Sequence, residues 1–267
     1  MKKRIAFLAA AIALIAAMVL CTGCSKNDGL SDWEYIQDKG TLVVGLDDTF
    51  APMGFRDEQD NIVGFDIDLA TAVAEELGIK VEFKSIEWDA KEGELEAKNI
   101  DCVWNGMSWT EDRAKSMSLS KKYMNNKIVI MSMQDIDITD SAQLANYKIG
   151  TQADSSALDG IKADKNYESF QANVKEYGDY AAAYLDMKAG RIDVMVIDAV
   201  MGDYTYPDLK KSSYVFMDDF YAVGFRKGDT ELTNKVNDAL QKVLDSGKGA
   251  EISQKWFKNS DAFIVVD

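Results

Sequence analysis

The chain is 267 residues long and carries 45 acidic against 30 basic side chains, a formal charge of −15. Such a charge argues against nucleic acid or an anionic bilayer surface as the partner; it suits solubility and weak steering of cations. There is no histidine, which removes imidazole metal sites, His-based triads and histidine acid–base chemistry together. No cofactor or metal site is expected, and the length after a leader suffices for one large core or two smaller ones.

Met1-Lys-Lys-Arg4 is a basic start, followed by an apolar run from Ile5 to Leu20 that is short for a spanning helix. The run closes on Leu20-Cys-Thr-Gly-Cys24, and polar residues follow. This arrangement resembles a bacterial lipoprotein signal, with Cys24 as the lipidated residue, residues 1–23 as the signal peptide and 24–32 as a tether. Cys21 stands where that pattern usually has leucine; an ordinary cleaved secretory signal is the alternative. Loss of Lys2, Lys3 and Arg4 would bring the mature charge to about −18. Cys102 would then have no cysteine to pair with inside the mature domain, and it reads as a small apolar strand residue.

Trp33 to Lys39 reads as a short helix, Thr41 to Gly45 as a buried strand, and Phe55 to Gly64 as a hairpin. Asp66 is placed to cap the next helix, in which Ile67, Ala70, Val73, Ala74 and Leu77 share one face before Gly78 stops it. Ile79, Val81 and Phe83 alternate as a strand, a helix follows from Asp89 to Lys98, and Cys102 to Trp104 is a strand again. Thr110 caps a short helix with Glu111 and Asp112 in its first turn, where the dipole favours acids. Arg113 runs against that field. It either pairs with Glu111, Asp112 or another surface acid, or it forms an anion site whose planar fork matches a carboxylate.

After the strand Lys127 to Met133 the same grammar restarts. Ser141 to Asn146 reads as a helix, Tyr147 to Gly150 as a strand, and Thr151 to Ser156 as a turn opening another helix. Tyr180 to Ala189 is helical, Arg191 to Ile197 is a strand, and Asp198 begins a further helix. Tyr214 to Met217 and Tyr221 to Phe225 read as strands, and helices near Glu231 to Asp245 and Gly249 to Phe257 close the chain. Alternating strands and helices predict α/β sheets, here as two units of comparable size.

Gly64-Phe-Asp-Ile-Asp-Leu69 with Val73 resembles the signature of bacterial extracellular solute-binding proteins for amino acids, the capture components of ATP-driven importers. Gly45, Asp47, Phe50, Pro52 and Met53, the run Asn105 to Arg113, Gly190-Arg-Ile-Asp193 and Lys255-Trp-Phe257 appear in that family's order. The resemblance covers nearly the whole mature chain. It implies an α/β, two-lobed periplasmic-binding-protein fold (type II) whose lobes are joined by two crossing hinge strands. Residues 33–130 and 222–267 would form lobe one, and residues 131–221 lobe two.

The resemblance also implies roles. Arg113 would clamp a ligand α-carboxylate, helped by the Ser108 backbone N–H and hydroxyl and by the Ser156 backbone N–H. Asp198 would take the α-ammonium, with carbonyls near Asn105 and Gly106. Phe50 and Trp88 would sandwich the ligand side chain, and Gln152 belongs to the same set. Asp47 either reads the far end of the ligand or caps the turn at Thr49; aromatic faces with one carboxylate favour a cation or an amide. Asp154 stands where the family often has glycine, and an aspartate tolerates the left-handed backbone such a position requires.

The function implied is a monomeric extracytoplasmic carrier of a polar or basic amino acid, lipid-anchored at the outer face of the cytoplasmic membrane, serving an ABC permease without catalysis. A sensory module on the same fold is one alternative. An extracellular enzyme is the other, if Asp47, Glu87 and Asp198 line one cleft as working carboxylates.

Overall fold

The computed structural model describes residues 30–267, so Cys24 and most of the expected signal and tether lie outside the described residues. In the first half, Asp32–Lys39 forms α1, opened by a reciprocal capping box between Ser31 and Glu34 and closed by left-handed Gly40. Then follow β1 (Thr41–Leu46), β2 (Thr49–Phe50), β3 (Gly54–Arg56), β4 (Ile62–Val63), α2 (Phe65–Leu77) and β5 (Lys80–Ser85). A 3₁₀ turn at Trp88–Ala90 leads into α3 (Lys91–Glu96), β6 (Cys102–Val103), α4 (Glu111–Ser116) and β7 (Met117–Leu119).

The chain continues through β8 (Met124–Ser132), a 3₁₀ helix Ser141–Asn146, β9 (Ile149–Gln152), α5 (Ser156–Ala163) and α6 (Tyr167–Phe170). It proceeds to β10 (Val174–Tyr177), α7 (Tyr180–Lys188), β11 (Val194–Asp198), α8 (Ala199–Thr205) and β12 (Lys210–Tyr221). It returns through β13 (Gly224–Arg226) and ends with α9 (Thr230–Asp245) and α10 (Lys248–Phe257). One five-stranded sheet has the order β5-β1-β6-β13-β7, a second β10-β9-β11-β8-β12, and β2-β3-β4 form a small third sheet.

Both large sheets are mixed. In the first, β1 runs parallel to β5 and β6, whereas β13 is antiparallel to β6 and β7. In the second, β9, β10 and β11 are parallel, and β8 is antiparallel to both β11 and β12. Leu42, Val44, Phe65, Leu69, Val73, Val236 and Leu240 fill the contact between the first sheet and its helices. Ile128, Ile130, Ile149, Ile161, Val194 and Val196 do the same in the second.

Several expectations are corrected by these elements. The expected boundary after residue 130 is displaced, because β8 belongs to the second sheet from Met124 onward. Polar Asn125, Asn126 and Lys127 hide that start from a reading based on apolar runs. The strand expected at Tyr147 to Gly150 runs instead from Ile149 to Gln152. Thr151 can lie buried there because its hydroxyl donates to the Val196 carbonyl at 3.0 Å. β10 and α6 were not anticipated, and β12 is far longer than the stretch Tyr214 to Met217, its alternation being interrupted by two register shifts.

Asp66 does not cap α2. Gly64 holds the N-cap position and Asp66 lies inside the first turn, fully buried. Gly64 has φ +150°, and a Cβ there would stand 2.1 Å from the Met53 carbonyl oxygen. Gly64→Ala should therefore lower the unfolding free energy by about 2–3 kcal/mol, measured by urea denaturation. A change within experimental error would show that the helix start tolerates a side chain.

Candidate functional site: the interlobe cleft

β8 and β12 connect the lobes side by side. Tyr123 donates its backbone N–H to the Tyr221 carbonyl (2.8 Å), and Trp109 donates to the Phe220 carbonyl (2.7 Å). The turn that follows β6 lies against this crossing, and Gly106 makes it possible with φ +57°. A Cβ at Gly106 would meet Phe50 at 2.8 Å. The buried Asp66 carboxylate anchors the turn by accepting from the Gly106 N–H (2.7 Å) and the Tyr123 hydroxyl (2.8 Å). Burial pushes this carboxyl up to about 7.

The cleft is drawn nearly shut, with a cavity of about 10 Å³, and is lined by Phe50, Trp88, Asn105, Gly106, Ser108, Arg113, Gln152, Ser155, Ser156 and Asp198. All the residues expected in the site are thus brought to one place except Asp47, which stands behind Gln152. Ser155 is the lining residue that sequence reasoning passed over.

Thr110 caps α4 by accepting from the Arg113 N–H at 3.1 Å, which sets the side chain's direction. The Arg113 guanidinium is buried and donates to two main-chain carbonyls, Ser108 at 3.0 Å and Asp154 at 3.3 Å. It makes no ion pair among the described residues. The surface-acid alternative fails here: Asp112 pairs with Lys115, and Glu111 is exposed.

Across the cleft, Asp198 ends β11 in the N-cap position of α8 but makes no capping bond. Its Oδ1 accepts instead from Asn126 Nδ2 (2.7 Å) and the Tyr221 hydroxyl (3.0 Å). Burial, and then the neighbouring Asp219 carboxylate, hold its proton affinity well above the ordinary aspartate range.

Asp47 fulfils the capping alternative. Its Oδ1 accepts from the Thr49 N–H (3.0 Å) and hydroxyl (2.7 Å), while Oδ2 accepts from Gln152 Nε2 (2.8 Å) across the cleft. Phe50 and Trp88 both line the cavity, and both also pack into core clusters, Trp88 against Ile100, Val103 and Met107. Glu87 is exposed and does not line the cleft, so the expected set of three working carboxylates is not assembled.

Further polar groups meet around the cleft. Lys91 is buried, and its ammonium pairs with the Asp154 carboxylate of the other lobe while lying 5.1 Å from the Trp88 ring. Its place one turn after Trp88 was the available signal. Asp154 adopts the left-handed conformation, φ +53°, as its substitution for glycine requires. Asn126 and Asp219, on the crossing strands, lie just outside the stretches that the apolar pattern marks as strands. Both side-chain amide atoms of Asn105, which lines the cleft, are buried without a hydrogen-bond partner among the described residues. Such a group costs about 1–3 kcal/mol when left unpaired.

Residues 42–259 match the family described as bacterial extracellular solute-binding proteins, family 3. The chain belongs to that family. It is 28% identical to the L-cystine-binding protein TcyJ of Escherichia coli over 92% of each chain. It is 27% identical to the arginine-binding extracellular protein ArtP of Bacillus subtilis, covering 96% of this chain and 98% of that one. An ABC uptake transporter substrate-binding protein from Streptococcus pneumoniae, solved with bound histidine, superposes with a TM-score of 0.80. That similarity comes with 36% identity and covers 87% of this chain and 98% of the other. The two large sheets, their crossing strands and the cleft between them are the fold of this family.

Proposed function

We propose that the protein captures a free polar or basic amino acid in the interlobe cleft and delivers it to an ABC permease. One observation carries the reading: a buried guanidinium with no ion pair among the described residues and a buried carboxylate line the same cleft between the lobes. A zwitterion supplies the complementary charges. Arg113 and the Ser156 N–H at the start of α5 receive the α-carboxylate, and Asp198 receives the α-ammonium.

Gln152 presents an amide N–H to Asp47, so a ligand amide or guanidinium can take that acceptor in its place. The relatives that bind arginine, histidine and cystine support a ligand of this polarity. Arg113 and Ser156 come from different lobes, so ligand contacts complete themselves only on closure, and binding shifts the equilibrium toward the closed form. Nothing in this pairing activates a bond. The protein acts as a monomeric carrier, held at the outer face of the cytoplasmic membrane through lipid on Cys24.

Thermal unfolding against the twenty standard amino acids, ornithine, citrulline and cystine tests this. A true ligand at about a hundred times its Kd adds roughly 2.7 kcal/mol, and mass spectrometry should recover it unchanged. No response from intact protein to any of them would overturn the amino-acid reading.

A further inference from the structure

Five polar side chains form an unbroken line from Ser156 to Asp198 by way of Ser108 and the crossing strands. The Ser156 and Ser108 hydroxyls lie 2.7 Å apart, and Ser108 Oγ donates to Asp219 Oδ2 at 2.8 Å. Asn126 Nδ2 donates to that same Oδ2 at 2.8 Å and to Asp198 Oδ1 at 2.7 Å. Asn126 and Asp219 are directly opposed in the pairing of β8 with β12. The line therefore passes through both crossing strands.

The donor count fixes its direction. A carboxylate only accepts, so Asp219 takes the single hydroxyl hydrogen of Ser108, and Ser156 must donate to Ser108. Both hydrogens of the Asn126 amide are consumed, one on each carboxylate. Asn126 Oδ1 accepts from the Val200 N–H at 3.3 Å, which prevents the amide from being turned round. Asp219 is 2% exposed, and its Oδ1 has no protein partner.

We propose that Asp219 is a positioning residue that couples the two end-group seats, holding Asp198 through Asn126 and turning the Ser108 hydroxyl away from the ligand carboxylate. Ser108 then offers that carboxylate its backbone N–H only, and its hydroxyl oxygen is an acceptor. The ammonium seat holds two neighbouring acids rather than one, and its charge depends on Asp219. This rests on the amino-acid reading above and assigns the specificity of the same site.

The groups facing Asp198 are Asn126 from β8, Tyr221 and Asp219 from β12, Arg113 from α4 and Tyr180 from α7. Of these, Asp219 is the neighbour that raises its proton affinity through like charge, whereas Arg113 lowers it. Deleting the Asp219 charge therefore lets Asp198 remain ionised to lower pH.

The test compares wild type with Asp219→Asn, using L-arginine as the probe ligand in calorimetric titrations from pH 5 to pH 8. Wild-type affinity should fall on acidification. In the variant the affinity at pH 8 should drop about tenfold or more through loss of charged hydrogen bonds. The midpoint of the acid loss should move down by about one pH unit. ¹³C carboxyl NMR of Asp198 in the ligand-free proteins should show the same downward movement. An unmoved Asp198 midpoint would overturn the proposal. Because that readout needs no ligand, it stands even if wild type binds no amino acid, the outcome that would sink the amino-acid reading instead. Should Asp219→Asn fail to fold, Asp219→Ser removes the same charge with a smaller side chain and is read identically.

Discussion

Arg113→Ala should weaken binding of whichever amino acid stabilises the wild type by roughly 30- to 5,000-fold, as expected for deleting one partner of a buried charged contact at about 2–5 kcal/mol. The side chain is held by the Thr110 cap and by two carbonyls rather than by a carboxylate. Asp198 and Asp219 attract it without direct contact, so truncation should change the ligand-free unfolding midpoint little. A residue serving the fold through an ion pair would give the opposite result, lower stability with affinity intact. Isothermal titration and urea denaturation of the same preparations separate the two. Arg113→Lys should recover only part of the affinity, since an ammonium keeps the charge but loses the planar fork.

Asp198→Asn should lower affinity about 100-fold, again as the loss of a buried charged partner, while raising the stability of the ligand-free protein at pH 8. The sign follows from linkage. Asp198 has a raised proton affinity in the folded protein, so between the unfolded and folded titrations the folded state binds more protons. Its contribution to stability therefore falls as pH rises, and at pH 8 the ionised, buried carboxylate destabilises the fold. An asparagine in its place keeps an oxygen for Asn126 Nδ2 and the Tyr221 hydroxyl without the charge. The gain should be about 1–3 kcal/mol at pH 8 and should shrink toward pH 5. Denaturation curves at the two pH values check this; a variant less stable than wild type at pH 8 would show that the carboxylate serves the fold.

The two predictions describe a trade. Charges that would be costly in a core are kept in the cleft, where a ligand of opposite polarity can satisfy them. Lys91 and Asp154 fit the same pattern, a buried ammonium in one lobe meeting a carboxylate of the other. Asp154 departs from the glycine common in the family, and its left-handed backbone shows why aspartate could enter that position.

Much of this was legible in the linear chain because the responsible forces are local. Ser31 with Glu34, Gly40, Gly78 and Thr110 announce helix ends through contacts only a few residues apart. The apolar period of α2 and the alternation of β5 needed nothing else. The spacing of Asn105, Ser108 and Arg113 likewise carried the resemblance, and the folded chain gathers those residues in one cleft.

What the linear pattern could not decide lies at long separation. Asp47 meets Gln152 across 105 residues, Asn126 meets Asp219 across 93, and Ser108 meets Ser156 across 48. Such contacts depend on strand register, where a slip of one residue exchanges the two faces, and on how closely the lobes approach. A polar residue in a strand gives no sign of the face on which it will lie. The sequence by itself therefore determined most of the elements and, through the family resemblance, the two-lobed class and the cluster around Arg113. Only the tertiary structure decided that Asp66 anchors a turn rather than a helix end, that Asp47 is closed off by Gln152, and that Asn126 bridges Asp219 to Asp198. Capping and periodicity act over a single turn, whereas the partner of a buried charge is chosen by the whole sheet.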